Sequence, residues 1–128
     1  MPGRDAEAVF LDLKAGGEEA VLKKFPPPFY FTAFIDGGAA LDKAGLLREA
    51  AAALRFPSYF GGNWDALLDC LRTLPEFLPA GGYVLAVRDS GRLLSGSPAD
   101  LETFSDIVLE AAAFLREKTG KKLVVALI

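Results

Sequence analysis

The chain has 128 residues, of which 52% are hydrophobic and 24% charged, and its 17 acidic and 14 basic side chains give a net charge of −3. This length predicts a single domain, and this hydrophobic content excludes a disordered chain. Histidine is absent and Cys70 is the only cysteine, which excludes internal disulfides, His-based metal sites and His-dependent acid–base or triad catalysis.

Residues 25–29, with the sequence FPPPF, form the clearest break in the pattern. Three prolines cannot continue a helix or a central strand. We therefore expect residues 1–28 to be an N-terminal extension of unknown role, containing a strand in AVFLDL and a short amphipathic helix in GEEAVLKKF. Residues 29–128 are expected to form the main domain.

After this break, predicted strands and helices follow one another. Strands are predicted at residues 29–35, 83–89 and 122–128, and helices at 41–56, 63–74 and 97–120. Asp42 and Asn63 are suited to cap the first two of these helices. Strands that are joined by helices pair in parallel. The order therefore predicts an α/β fold, a small three-stranded parallel sheet packed by helices in a single domain.

The helix that begins at Asn63 has two different faces. Its apolar stripe is expected to consist of Leu67, Cys70, Leu71 and Leu74. Its opposite face carries Asp65, Asp69, Arg72 and Glu76. Leu68 lies between the two aspartates, and an exposed leucine among acids suggests a contact surface. We interpret Cys70 as core packing.

Three interpretations of the acidic face are open: a solvated helix surface, a metal or acid–base pair, and a surface for a cationic partner. Two carboxylates on one helix supply few metal ligands, so no metal or cofactor is expected. The preceding loop adds the aromatic side chain of Tyr59, whereas Phe60 is expected to fasten the loop to the core. Gly61 and Gly62 allow another molecule to approach the backbone closely. Aromatic area, bare backbone and carboxylates together are typical of a protein-binding hot spot.

This stretch resembles the barstar family of intracellular inhibitors of microbial ribonucleases. The matching pattern is Pro57-x-Tyr59-aromatic60-Gly61-x-Asn63-x-Asp65-Ala66-Leu67-x-Asp69-Cys70-Leu71. The order of strands and helices from Phe29 to Ile128 is also similar to that fold. The resemblance implies a protein that is not an enzyme and that blocks the active site of a ribonuclease with its loop and second helix.

The resemblance also implies roles for individual residues. Asp69 would take the place of a substrate phosphate and pair with arginines of the ribonuclease, and Asp65 would make a second acidic contact. Tyr59 would pack on the active-site face of the enzyme. Gly61 and Asn63 would present backbone and amide groups to it.

The sequence also departs from the best-known members of this family. Leu68 and Leu74 stand where those members carry tryptophan, and Gly62 replaces an acid. Arg72 stands where those members carry an uncharged residue. Its positive charge would reduce affinity for a basic cleft unless the partner supplies an acid. Glu117 is the best match for a peripheral acidic contact from the last helix.

These observations define the expected partner and its binding set. The resemblance implies that the partner is an extracellular-type microbial ribonuclease with a basic active-site cleft. The predicted partner-binding residues are Tyr59, Gly61, Asn63, Asp65, Leu68, Asp69, Arg72 and Glu117. No apolar run reaches the about 18 to 20 residues of a membrane span, and the first residues have acids close to Met1 and an apolar stretch too short for a secretory signal. We therefore expect a cytoplasmic monomer that binds neither membrane nor nucleic acid.

Two other functions stay open at this point. The first is a barstar-like regulatory module that binds a protein other than a ribonuclease, for example through residues 1–28. The second is an enzyme that uses Asp65 and Asp69 with a divalent ion, for which calorimetry with magnesium, manganese or calcium is the discriminating measurement.

Overall fold

The computed structural model describes residues 8–128, which form a four-stranded parallel sheet with helices on both faces. Along the chain the elements are β1 (Phe10–Asp12), α1 (Gly17–Lys24), β2 (Tyr30–Asp36), α2 (Lys43–Ala53), α3 (Trp64–Arg72), α4 (Leu74–Phe77), β3 (Gly82–Arg88), α5 (Pro98–Thr119) and β4 (Lys122–Leu127). The strand order across the sheet is β1-β4-β3-β2. The α/β class and the parallel pairing predicted from the sequence are confirmed.

The prediction of a three-stranded sheet is wrong, because β1 adds a fourth strand. Phe10 lies opposite Val125 in a parallel pair, and the Leu13 N–H donates to the Leu127 carbonyl at 2.9 Å. The strand and the helix expected between residues 8 and 25 are present as β1 and α1. Residues 1–7 lie outside the described part of the chain, and the assignment of residues 1–28 as an extension stays a prediction.

The other predicted strands and helices are confirmed, with ends that differ by at most three residues. The caps are those expected: the Asp42 carboxylate accepts a hydrogen bond from the Gly45 N–H at 2.9 Å at the start of α2. Helix α5 ends at Gly120, whose φ of 74° is the left-handed conformation that favours glycine at this position. Helix α4 was not predicted, because its four residues are too few to show a period.

The sheet separates two apolar clusters. The larger cluster lies between the sheet and helices α2, α3 and α5, and the smaller one is covered by α1 through Val21 and Phe25. Strand β3 is buried from Gly82 to Val87, as expected for an interior strand that is covered on both faces. Between residues 8 and 128 no helix has both the length and the apolar character needed to cross a membrane.

Candidate functional site

Helix α3 is held at both ends and along one face. The Asn63 side-chain oxygen accepts a hydrogen bond from the Ala66 N–H at 2.7 Å, which caps the first turn. At the other end, the Thr73 hydroxyl donates a hydrogen bond to the backbone carbonyl of Asp69 at 2.9 Å. The predicted apolar stripe is confirmed, since its four members are buried: Leu67, Cys70, Leu71 and Leu74. The helix therefore presents its opposite face in a fixed orientation.

That opposite face carries two exposed carboxylates. Asp65 and Asp69 are four residues apart, one helical turn, and both are exposed. Within residues 8–128 neither carboxylate forms an ion pair or a hydrogen bond. The same part of the chain contains no group of three or more His, Cys, Asp or Glu side chains placed to hold a metal. The pair is thus available to a cationic group of another molecule.

The loop before α3 adds one exposed aromatic side chain. Tyr59 is 71% exposed, whereas the Phe60 ring packs 4.9 Å from the Phe56 ring, which confirms that Phe60 fastens the loop. Gly61 and Gly62 are exposed, and the φ of 70° at Gly62 is one that other residues rarely adopt. Tyr59 and bare backbone therefore lead directly into the N-terminus of α3.

Arg72 is directed toward α5. Its Nη1 lies 3.7 Å from Oε2 of Glu110, and its guanidinium carbon lies 5.3 Å from the centroid of the Phe114 ring. Glu110 is well exposed and Arg72 partly so, and an ion pair of this kind contributes at most about 1 kcal/mol. The positive charge predicted for the acidic face is therefore partly neutralised within the protein. Sequence reasoning missed Glu110 and Phe114, although their spacing of four residues on α5 places both on one helix face.

Leu68 and Glu117 complete the predicted set. Leu68 is half-buried and packs against the larger apolar cluster, so it is less exposed than expected. Glu117 is exposed in the last two turns of α5. It lies seven residues, two helical turns, beyond Glu110, which places both acids along one side of that helix. The structure thus brings the loop and α3 together and adds an acidic edge on α5.

Cys70 is buried beneath this surface. Burial raises the pKa of the Cys70 thiol, and the negative charge of Asp69 raises it further. Because a thiolate is the reactive form, we expect Ellman's reagent to label Cys70 in the native protein at neutral pH far more slowly than in the unfolded protein. Equal labelling rates in buffer and in concentrated urea would contradict the buried position of this side chain.

A comparison with known protein families matches residues 30–127 to the family described as barstar (barnase inhibitor). This chain belongs to the barstar family. The match covers more than half of the chain and includes the whole of α3 and the loop before it, whereas β1 and α1 lie outside the matched range. A comparison with individual curated proteins gives no match. Members of the barstar family are inhibitors that bind ribonucleases, and they are not enzymes.

Proposed function

We propose that this barstar-family protein is an intracellular inhibitor that binds and blocks the active site of a microbial ribonuclease. The observation that carries the proposal is that α3 is fixed to the core by one face, while on the other face Asp65 and Asp69 are exposed and form no ion pair or hydrogen bond within residues 8–128. A ribonuclease binds the phosphates of RNA with cationic side chains. Carboxylates held at a fixed spacing complement such a cleft and can replace those phosphates.

Each residue of the surface has a distinct part in this proposal. Asp69 is the anchor that occupies a phosphate position, and Asp65 makes the second acidic contact. Tyr59 packs on the rim of the cleft, and the exposed backbone at Gly61 permits close approach. Asn63 uses its oxygen to cap α3, so its amide NH₂ group can donate to the ribonuclease.

The remaining members form the rim of the proposed interface. Leu68 contributes the exposed part of its side chain, Arg72 sets the charge next to α5, and Glu117 extends the acidic edge. Inhibition by occupying a cleft needs shape and charge alone, so the proposal includes no metal, cofactor or direct contact with nucleic acid. A monomer that acts in the cytoplasm on an extracellular-type ribonuclease would protect the RNA of its own cell.

The test is capture of the partner from lysate and culture medium of the source organism, with the wild-type protein and Asp69→Ala as parallel baits. We expect wild type alone to capture a basic ribonuclease and to abolish its activity at one molecule of inhibitor per enzyme. Equal capture of a different protein by both baits would contradict the proposal. That outcome would favour a barstar-like regulatory module with a partner other than a ribonuclease.

Replacing Arg72 tests the charge of the partner cleft. We expect Arg72→Ala to bind the captured ribonuclease about threefold to tenfold more tightly, mainly through faster association at low salt, because it removes a cation and frees Glu110. Association kinetics at two salt concentrations provide the measurement. Arg92→Ala, which removes an exposed cation from the turn after β3, is the control. Weaker binding of Arg72→Ala would show that the partner places an acid opposite this side chain.

A further inference from the structure

A second exposed surface lies at the amino ends of β2, β3 and β4. It combines the last turn of α1, the proline loop and the turn before β4. We call it the basic tip and define it as Leu22, Lys23, Lys24, Pro26, Pro27, Pro28, Phe29, Lys121 and Lys122. None of these residues belongs to the acidic surface of α3.

Aromatic contacts connect the first two parts of the basic tip. The Lys24 ammonium lies 6.0 Å from the centroid of the Phe25 ring. The Phe25 and Tyr30 rings are 5.2 Å apart, and the Phe29 and Tyr30 rings are 5.1 Å apart. The end of α1 and the proline loop therefore form one continuous cluster.

Backbone contacts join the third part to this cluster. The Gly81 N–H donates to the Phe29 carbonyl at 2.7 Å, and the Lys121 ammonium donates to the carbonyl of Ala80 at 2.7 Å. In the sheet, Gly82 pairs with Tyr30 on one side and with Lys122 on the other. These contacts place Lys121 and Lys122 beside the segment that carries Phe29 and Tyr30.

The apolar part of the basic tip is unusually exposed. Phe29 is 61% exposed and Leu22 is 40% exposed, and the three prolines between them are exposed as well. The Phe29 ring lies over Gly81, since a Cβ at that glycine would be 2.3 Å from the ring. The tip therefore offers an aromatic face to solvent.

The lysines of the basic tip are not matched by acids. Within residues 8–128 no carboxylate is within ion-pair distance of Lys23, Lys24, Lys121 or Lys122. The helix dipole favours Lys23 and Lys24 in the last turn of α1. It does not account for the exposed phenylalanine and leucine beside them, so the cations and the apolar side chains together require another explanation.

We propose that the basic tip docks this protein reversibly onto an anionic lipid surface. Lysines are depleted in protein–protein interfaces, whereas lysine clusters beside exposed apolar side chains are typical of peripheral binding to anionic lipids. The sequence-based expectation of no membrane partner rested on the lack of a spanning segment, and a surface of this kind needs none. The proposal uses no residue from 57–72 and does not depend on the proposed ribonuclease.

The experiment is co-sedimentation of the full chain with phosphatidylcholine vesicles that contain or lack phosphatidylglycerol. We expect binding only to the anionic vesicles and its loss at high salt. Lys23→Glu/Lys24→Glu should reduce the partition coefficient by about tenfold or more, and Phe29→Ser should reduce it severalfold by removing the apolar contact. Circular dichroism establishes that each variant is folded.

Two control variants distinguish binding through the basic tip from general effects of net charge and of exposed apolar area. Arg48→Glu/Arg92→Glu makes the same change in net charge at exposed positions outside the tip, and Leu101→Ser removes a side chain that is 43% exposed on α5. Both should bind within about twofold of wild type, as surface changes away from a binding site do. Three outcomes would each overturn the proposal. They are no binding of the wild-type protein to anionic vesicles, an equal loss of vesicle binding in the tip and control variants, and binding to oligouridylate in place of vesicles.

Discussion

Asp69→Ala is expected to weaken binding of the captured ribonuclease by more than about 2 kcal/mol, at least about thirtyfold in Kd. The same change should leave the free energy of unfolding within about 0.5 kcal/mol of wild type. The reason for the difference is that the Asp69 carboxylate is exposed and forms no ion pair or hydrogen bond within the described residues. Its loss therefore leaves the cations of the ribonuclease unpaired without disturbing the core.

Calorimetric titration and urea unfolding measure these two quantities on the same preparations. Glu19→Ala is the matched control, because it removes an exposed carboxylate from α1, and its Kd should stay within about twofold of wild type. Equal Kd values for Asp69→Ala and wild type would show that Asp69 does not replace a phosphate. If net charge alone determined the affinity, Glu19→Ala and Asp69→Ala would instead have similar Kd values.

Leu67→Ala is expected to show the opposite pattern. Leu67 is 1% exposed and belongs to the larger apolar cluster, and truncation of such a leucine costs about 2–5 kcal/mol of unfolding free energy. In buffer, where the variant is still folded, its affinity for the ribonuclease should change little, because Asp65 and Asp69 are unaltered.

Urea denaturation of Leu67→Ala is compared with Leu101→Ala. Leu101 is 43% exposed on α5, so its truncation should cost less than about 0.5 kcal/mol. Similar small decreases in the free energy of unfolding for both variants would mean that α3 is not anchored through Leu67. Taken together, the Asp69 and Leu67 variants separate the chemistry of the surface from the packing that holds it in place.

Much of α3 follows from local sequence. Asn63 is a favourable cap because its side chain can accept from the backbone three residues later, and the spacing of four leucine and cysteine side chains assigns the buried face. The same spacing places Asp65 and Asp69 in solvent. Their proposed role in binding rests on the family and on their exposure, and composition alone does not predict it.

Contacts between distant segments were not predictable in this way. A strand was predicted in the segment that forms β1, but its three residues do not indicate its partner, which is β4 at the far end of the described chain. The pairing of Arg72 with Glu110 likewise depends on how α3 packs on α5. Leu68 appeared exposed from its helical position, but it is half-buried because it packs against the larger cluster.

The position of β4 in the sheet has a consequence for biosynthesis. This strand lies between β1 and β3, yet it is the last described strand to leave the ribosome. A nascent chain can pair β2 with β3, but the interior of the sheet stays open until β4 is translated, and β1 has no partner before then. Pairings across such long separations form slowly. Fragments that lack β4 are therefore expected to be substrates for cellular proteases, so that only chains containing β4 accumulate.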